Sequence, residues 1–300
     1  MATFAKATFN TATYAVIRPT YPEQLYQFIF QYHDKTGRAR WDKAIDLGCG
    51  TGQVTTELTR FKHVYGIDPS QGMIDTCERV ATKKWHPMGL TFMKGSAEDL
   101  SQFKDQSVDM VVAGQAVHWF DYARLWPELA RVLRPNGTFA FWGYSEFRFA
   151  KYPSLTPMIR EYAQGKDPKT SLGPHWQQPG RQILDNHLFD IPQPPESKFK
   201  DWQHIKFTGS YYPKIADARP VILKRTLTWE GLESYLRTFS SLHTFHEQNP
   251  EDEAKKDIGE GDIVQRFVTS LKGGIKAVGC NPDEDIDIEW PLALIMARRK

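Results

Sequence analysis

Cysteine is scarce in this chain of 300 residues: only Cys49, Cys77 and Cys280 are present. Their scatter fits neither a disulfide framework nor a metal knuckle, which excludes a stapled secreted scaffold and points to a reducing compartment. No apolar run approaches the ~18 residues of a membrane helix, and MATFAKATFNTATY lacks the apolar block of a signal peptide. The expectation is a soluble cytoplasmic protein without a membrane contact. An excess of one charge is missing too. Lys+Arg number 38 against Asp+Glu 36, for a net charge of +2, and no basic run exceeds a few residues, which argues against a nucleic-acid partner. No bound metal is expected. What the chain does have is 40% hydrophobic and 13% aromatic residues. That suffices for a large core, as one elaborated domain or a domain with a cap, and for an apolar pocket around a small molecule.

The stretch that organises the rest is KAIDLGCGTGQVTTELTRFKHVYGIDP, Lys43 to Pro69. A short apolar strand (Ala44, Ile45, Leu47) carries Asp46 near its carboxyl end. A turn with glycine at 48, 50 and 52 follows, then an amphipathic helix through Val54, Leu58 and Phe61, and a second strand, Val64 to Ile67, closed by Asp68. Glycine at alternate positions lets the backbone turn sharply and approach a ligand closely. An acid about 20 residues beyond the turn is placed to accept both hydroxyls of a ribose, so the ligand carries an adenosine or something close to it. The dinucleotide fingerprint presents amides to a pyrophosphate, whereas here a carboxylate stands two residues before the first glycine. A carboxylate repels phosphate and attracts an ammonium, and the adenosine compound with an ammonium, a sulfonium and no phosphate is S-adenosylmethionine.

In D-L-G-C-G-T-G the chain resembles the class I S-adenosylmethionine-dependent methyltransferases. The fold this implies is α/β: a Rossmann-like seven-stranded sheet, mostly parallel with the last strand antiparallel, helices on both faces, an N-terminal lid and a helical cap. Residues 1–40 are expected as the lid and its helix (Leu25, Phe28, Ile29, Tyr32), 41–145 as the cofactor-binding core, 146–284 as the cap with a late strand, and 285–300 as the strand completing the sheet. A lid makes sense because methyl transfer must exclude water and align its acceptor.

Further along, Ser70 opens a helix with Met73, Ile74 and Cys77 inward, and Leu90 to Lys94 is a third strand running into Gly95-Ser96-Ala97-Glu98. A continuous apolar strand, Val108 to Ala113, delivers Gln115, His118 and Trp119 to the carboxyl edge of the sheet, where open α/β sheets bind ligands. A helix through Leu125, Leu129, Val132 and Leu133 follows, and Arg134-Pro135-Asn136-Gly137 turns into a fifth strand, Thr138 to Gly143. The sixth strand is expected in WQHIKFTGSYY, then one helix over WEGLESYLRTFSSLHTFHE, and a last strand, DIDIEWPLALIMARRK, broken at Pro291.

The runs Q-A-V-H-W-F, L-R-P-N-G-T-F-A-F-W-G-Y, R-P-T-Y-P near the start and L-G-P-H-W-Q-Q-P-G-R (Leu172 to Arg181) are similar in order to fungal small-molecule methyltransferases of the trans-aconitate type. The resemblance implies cofactor contacts at Tyr14, Arg18, Asp46, Gly48, Gly50, Asp68, Met73, Ala97, Glu98 and Gln115, with Ala97 and Glu98 along the adenine. It implies catalytic residues at His118 and Trp119, where His118 is read either as a base near neutral pH or as a structural group. It implies a carboxylate-bearing acceptor held by His175, Trp176, Arg181 and Arg237, with Tyr14 and Arg18 reaching either the cofactor carboxylate or that of the acceptor, since a guanidinium pairs with a carboxylate through two parallel hydrogen bonds. The expected reaction is in-line methyl transfer to a carboxylate or hydroxyl oxygen of a small molecule, leaving S-adenosylhomocysteine, by a monomer or homodimer. Alternatives are a pericyclase or isomerase in a methyltransferase shell, and a macromolecule methyltransferase or a non-catalytic binding protein.

Overall fold

A computed structural model describes residues 17–81, 89–255 and 259–300. In chain order its elements are α1 (Glu23–His33), β1 (Lys43–Leu47), β2 (His63–Asp68), α2 (Gln71–Ala81), β3 (Gly89–Lys94), β4 (Val108–Gly114), α3 (Tyr122–Val132), β5 (Leu133–Tyr144) and β6 (Arg148–Phe149). They continue with α4 (Thr156–Gln164), α5 (Gly180–Asp185), β7 (Phe199–Phe207), β8 (Leu223–Leu227), α6 (Trp229–Leu236), α7 (Ser240–Gln248), α8 (Pro250–Ala254), α9 (Ile263–Ala277), β9 (Ile286–Trp290) and β10 (Leu292–Arg299). The described residues divide into two compact units, one within Thr20–Ser145, Gln182–Ile222 and Pro291–Lys300, the other within residues 17–19, Glu146–Arg181 and Leu223–Trp290.

The first unit holds a seven-stranded sheet in the order β3-β2-β1-β4-β5-β10-β7. Its first five strands run parallel, and β10 lies antiparallel to both β5 and β7. This is the Rossmann-like sheet expected. β4 is buried from Val108 to Ala113 because a parallel strand is covered on both faces. α3 begins where the Asp121 carboxylate accepts the Ala123 N–H, and it buries Leu125, Trp126 and Leu129. Phe139, Phe141 and Trp142 of β5 are fully buried, each contributing roughly 1.5–3 kcal/mol of apolar burial. The expected Arg134–Gly137 turn is a bulge within β5: pairing with β4 passes from Val108 opposite Leu133 to Met110 opposite Thr138, with Asn136 at φ 66°.

Three expectations change in the structure. The helix read through Val54, Leu58 and Phe61 is a single 3-10 turn, Thr55–Glu57, although all three apolar side chains are buried. The two threonines explain it. Thr55 turns its hydroxyl to Asp46 and Thr56 to the Gly52 carbonyl, so local side-chain bonds compete with helix propagation. The helix expected over residues 229–247 divides into α6 and α7, because Phe239 between them is extended (ψ 127°) and Thr238 Oγ1 bonds the Tyr235 carbonyl. The terminal strand divides at Pro291, where a missing N–H interrupts the ladder. Only Leu292–Arg299 joins the large sheet, while β9 pairs with β6 and β8.

That second sheet, β6-β9-β8, is antiparallel and belongs to the other unit. Around it stand α4, α6, α7, α8 and α9. α9 starts from a capping box in which Asp262 and Gln265 bond each other's backbone N–H, and Phe267 stacks on Tyr162 at 3.9 Å.

Candidate active site

The carboxyl ends of β1 and β2 and the turn between them form one hydrogen-bonded piece. Gly48 and Cys49 donate their N–H groups to the Ile67 carbonyl at 2.7 and 3.0 Å. Gly50 donates to Asp68 Oδ2 at 2.9 Å and Ser70 to Asp68 Oδ1 at 2.8 Å. Gly48 and Gly50 lie at φ 67° and 54°, in the left-handed region that glycine adopts without a steric cost. A Cβ at Gly48 would stand 2.4 Å from the Ala116 Cβ, whereas one at Gly50 would meet nothing within 4 Å. The backbone is therefore packed on one side at Gly48 and open at Gly50.

The two acids differ in how they are held. Each Asp68 oxygen has a backbone donor, and burial nevertheless raises its pKa above the ordinary value. Asp46 is 1% exposed. Thr55 Oγ1 donates to its Oδ2 at 2.6 Å, while Oδ1 is buried without a hydrogen-bond partner among the described residues. The Tyr26 hydroxyl of α1 is likewise buried and unpartnered among them. Burial, opposed by the Thr55 hydrogen bond and reinforced by the Asp68 charge, pushes the Asp46 carboxyl up to about 7. Thr55, which holds Asp46, is not singled out by the sequence; a threonine pair three residues beyond the last glycine of the turn is the signal that could have found it.

Other expected cofactor contacts lie on the same sheet edge. Met73 is buried in the first turn of α2, and Ala97 is buried just past β3. The Glu98 carboxylate accepts the Ser96 hydroxyl at one oxygen and the Asp121 N–H at the other, 2.9 Å, so it ties the loop after β3 to the start of α3. Gln115, at φ 55°, brackets the end of β5: its amide donates to the Tyr144 carbonyl at 3.1 Å and accepts the Tyr144 N–H at 2.7 Å. His118 and Trp119 share a 3-10 turn, Val117–Trp119, with ring centroids 4.6 Å apart. Trp119 is 37% exposed, and such a large apolar ring at a sheet edge suits a ligand wall.

The remaining predicted residues belong to the second unit, apart from Tyr14, which lies outside the described residues. Arg18 is buried, donates to the Thr238 carbonyl at 2.9 Å, and lies 5.6 Å from the ring centroids of both Tyr235 and Phe239. Trp176 packs on Phe239 at 5.3 Å and donates its indole N–H to the Ala163 carbonyl. Arg181 stacks over Trp176 at 4.4 Å and pairs with Glu146 at 2.8 Å. His175 donates Nε2–H to the Pro168 carbonyl at 2.9 Å, and its Nδ1 is buried without a partner among the described residues. Arg237, expected at the acceptor, holds two carboxylates of its own chain, Asp262 at 2.7 Å and Glu233 at 2.7 Å. Its planar fork is thereby engaged on both sides.

A turn with glycine amides spent on its own carboxylate, flanked by a second buried acid, is a poor cradle for phosphate and a good one for an ammonium. Asp46 Oδ1 and the open side of Gly50 fit the amino acid end of S-adenosylmethionine, and Asp68 keeps acceptor capacity on both oxygens for ribose hydroxyls. Comparison with known proteins places the chain in a family. Residues 45–141 match a family model described as a methyltransferase domain. A probable S-adenosylmethionine-dependent methyltransferase of Saccharomyces cerevisiae is 28% identical over 97% of this chain and 96% of its own. A Dictyostelium discoideum protein named as a methyltransferase is 30% identical over 96% of this chain and 92% of its own. In fold, the chain matches a solved structure described as a type II methyltransferase from Anaeromyxobacter dehalogenans, with a TM-score of 0.65 and 24% identity over 94% of this chain and 97% of that one. The chain belongs to the class I S-adenosylmethionine-dependent methyltransferases.

Proposed function

We propose that the protein methylates an oxygen of a small molecule, and that a carboxylate of a polyacid is the favoured acceptor, with a hydroxyl as the other. The observation that carries this reading is the buried Arg18 guanidinium set 5.6 Å from the ring centroids of both Tyr235 and Phe239, with Arg181 over Trp176 and already paired with Glu146. Stacked guanidiniums are held flat and pre-oriented for planar anions. His175 and Trp176 are assigned to the same acceptor side. The near-neutral composition supports a small acceptor over nucleic acid.

The bound cofactor supplies an electrophilic methyl group on sulfur. For the rest, Asp68 orients the ribose, Asp46 with the open Gly50 backbone receives the ammonium end, and Ala97 with the Glu98 loop borders the adenine. A carboxylate acceptor arrives ionised, so positioning and exclusion of water suffice. His118 and Trp119, at the edge of the large sheet, then need no proton-transfer role. A hydroxyl acceptor would instead require His118 to take a proton.

The test is S-adenosylhomocysteine release by purified protein given S-adenosylmethionine and a panel of small polycarboxylates and phenols, with mass spectrometry for a product that gains one methyl group. Turnover confined to a carboxylate supports the reading. Turnover confined to phenols overturns the carboxylate assignment, and a product formed without S-adenosylhomocysteine overturns methyl transfer to it.

A further inference from the structure

Asp46 and Asp68 stand at the ends of adjacent strands in opposite states of hydrogen bonding. Asp68 has a backbone donor on each oxygen, an arrangement that stabilises the ionised form. Asp46 is served by one residue, Thr55, through its hydroxyl and backbone N–H, and its Oδ1 has no partner among the described residues. The titratable groups that bear on it are Asp68 at the end of β2, the Cys49 thiol in the glycine turn, and the Tyr26 hydroxyl of α1, which also feels Glu57. None of these is a cation. A carboxylate buried to 1% exposure, whose donors are the neutral hydroxyl and backbone N–H of Thr55 and which has a second acid close by, is costly to ionise, until an ammonium is brought against it.

We propose that Asp46 holds a proton when the cofactor is absent and releases it as the cofactor ammonium binds, with Thr55 setting how tightly the proton is held. The O–H bond of the carboxyl group breaks, the electron pair stays on Asp46, and the proton passes to buffer. The charge left behind is matched by the ammonium, so the buried pair is neutral overall. With burial pushing that carboxyl up to about 7, binding should weaken as pH falls, with affinity at about pH 6 roughly tenfold below that at about pH 8.

Calorimetric titration of S-adenosylmethionine into the protein, in two buffers of different ionisation enthalpy, reads the proton directly. Wild type should release close to one proton per cofactor at about pH 6 and almost none at about pH 8. Asp46→Asn should release none, with an affinity that no longer rises across this range. Thr55→Val, which removes the hydroxyl at constant shape, should move the midpoint of the affinity profile to higher pH, and this variant tests the idea even where Asp46→Asn does not fold. Binding without proton release in wild type, equal release in Asp46→Asn, or a Thr55→Val profile that superimposes on wild type overturns the proposal while leaving the cofactor in place. Absence of binding at every pH overturns the cofactor assignment itself.

Discussion

The Gly50 N–H donates to Asp68 Oδ2 at 2.9 Å, so the glycine turn and the acid at the end of β2 are set by one another. Removing the carboxylate affects both. Asp68→Ala leaves the Gly50 and Ser70 amides without this acceptor and deletes the one proposed for the ribose. Hydrogen bonds to a charged group are worth about 1.5–3 kcal/mol each, so cofactor affinity should fall by roughly tenfold to a hundredfold or more. Equilibrium binding of S-adenosylhomocysteine measures this, and an unchanged dissociation constant would remove Asp68 from the site.

Gly48 and Gly50 should respond differently to the same methyl group. At Gly48 an added Cβ would stand 2.4 Å from the Ala116 Cβ, which lies against backbone that has no flexible end to move. Overpacking of this kind costs about 1–3 kcal/mol and the positive φ adds to it. Gly48→Ala should therefore lower the denaturant midpoint strongly. Gly50→Ala has open space and only the left-handed strain of about 1–2 kcal/mol, but its methyl projects toward the face assigned to the cofactor. The expected pattern is a large stability loss with Gly48→Ala, and a smaller stability loss with weakened cofactor binding for Gly50→Ala.

Arg237 separates a structural from an acceptor-binding role. Its guanidinium bonds both oxygens of fully buried Asp262 and one oxygen of Glu233, and Asp262 also caps α9. Burial works against the charge on Asp262, and the Arg237 hydrogen bonds outweigh it, holding that carboxyl below its usual range. Arg237→Met should cost about 2 kcal/mol or more, chiefly from the stranded Asp262 charge. The KM for the acceptor, measured on the folded fraction, should stay at the wild-type value. A raised KM at unchanged stability would return Arg237 to the acceptor site.

Residues whose roles are local in the chain are legible in the sequence alone. Asp46, Gly48, Gly50 and Asp68 can be read because the positive-φ turn demands glycine and the acids sit where strands end. The strands of the large sheet are legible for the same reason, as apolar runs between turn residues. What stays hidden depends on partners distant in sequence. Nothing in Arg237 announces Asp262, and nothing in Gln115 announces its clamp on Tyr144. The small sheet escapes notice because β6 is two residues long and β8, Leu223–Leu227, carries exposed Lys224, Arg225 and Thr226. The break at Pro291 is visible, but the transfer of the chain from one sheet to another is not. Thr55 reads as a helix residue, since helical spacing of Val54, Leu58 and Phe61 can be satisfied by a 3-10 turn that buries the same three side chains.

The stability of the cofactor-free protein should carry the mark of Asp46. In the unfolded chain this carboxyl ionises near 3.9, whereas in the folded protein it is pushed up to about 7. Between those values the native state holds a proton that the unfolded state has lost, so stability falls as pH rises through this window. The full effect is at most about 4 kcal/mol and is complete above about pH 7. Asp46→Asn cannot ionise and escapes the loss. Its stability relative to wild type should therefore improve from about pH 5 to about pH 7 and hold level above that. Saturating cofactor should stabilise wild type most at the alkaline end and leave the variant, which lacks the charge to meet the ammonium, with the weaker gain. Guanidinium unfolding of both proteins across this range reads the difference, and a gap between them that does not change with pH would mean that Asp46 is ionised or protonated alike in both states.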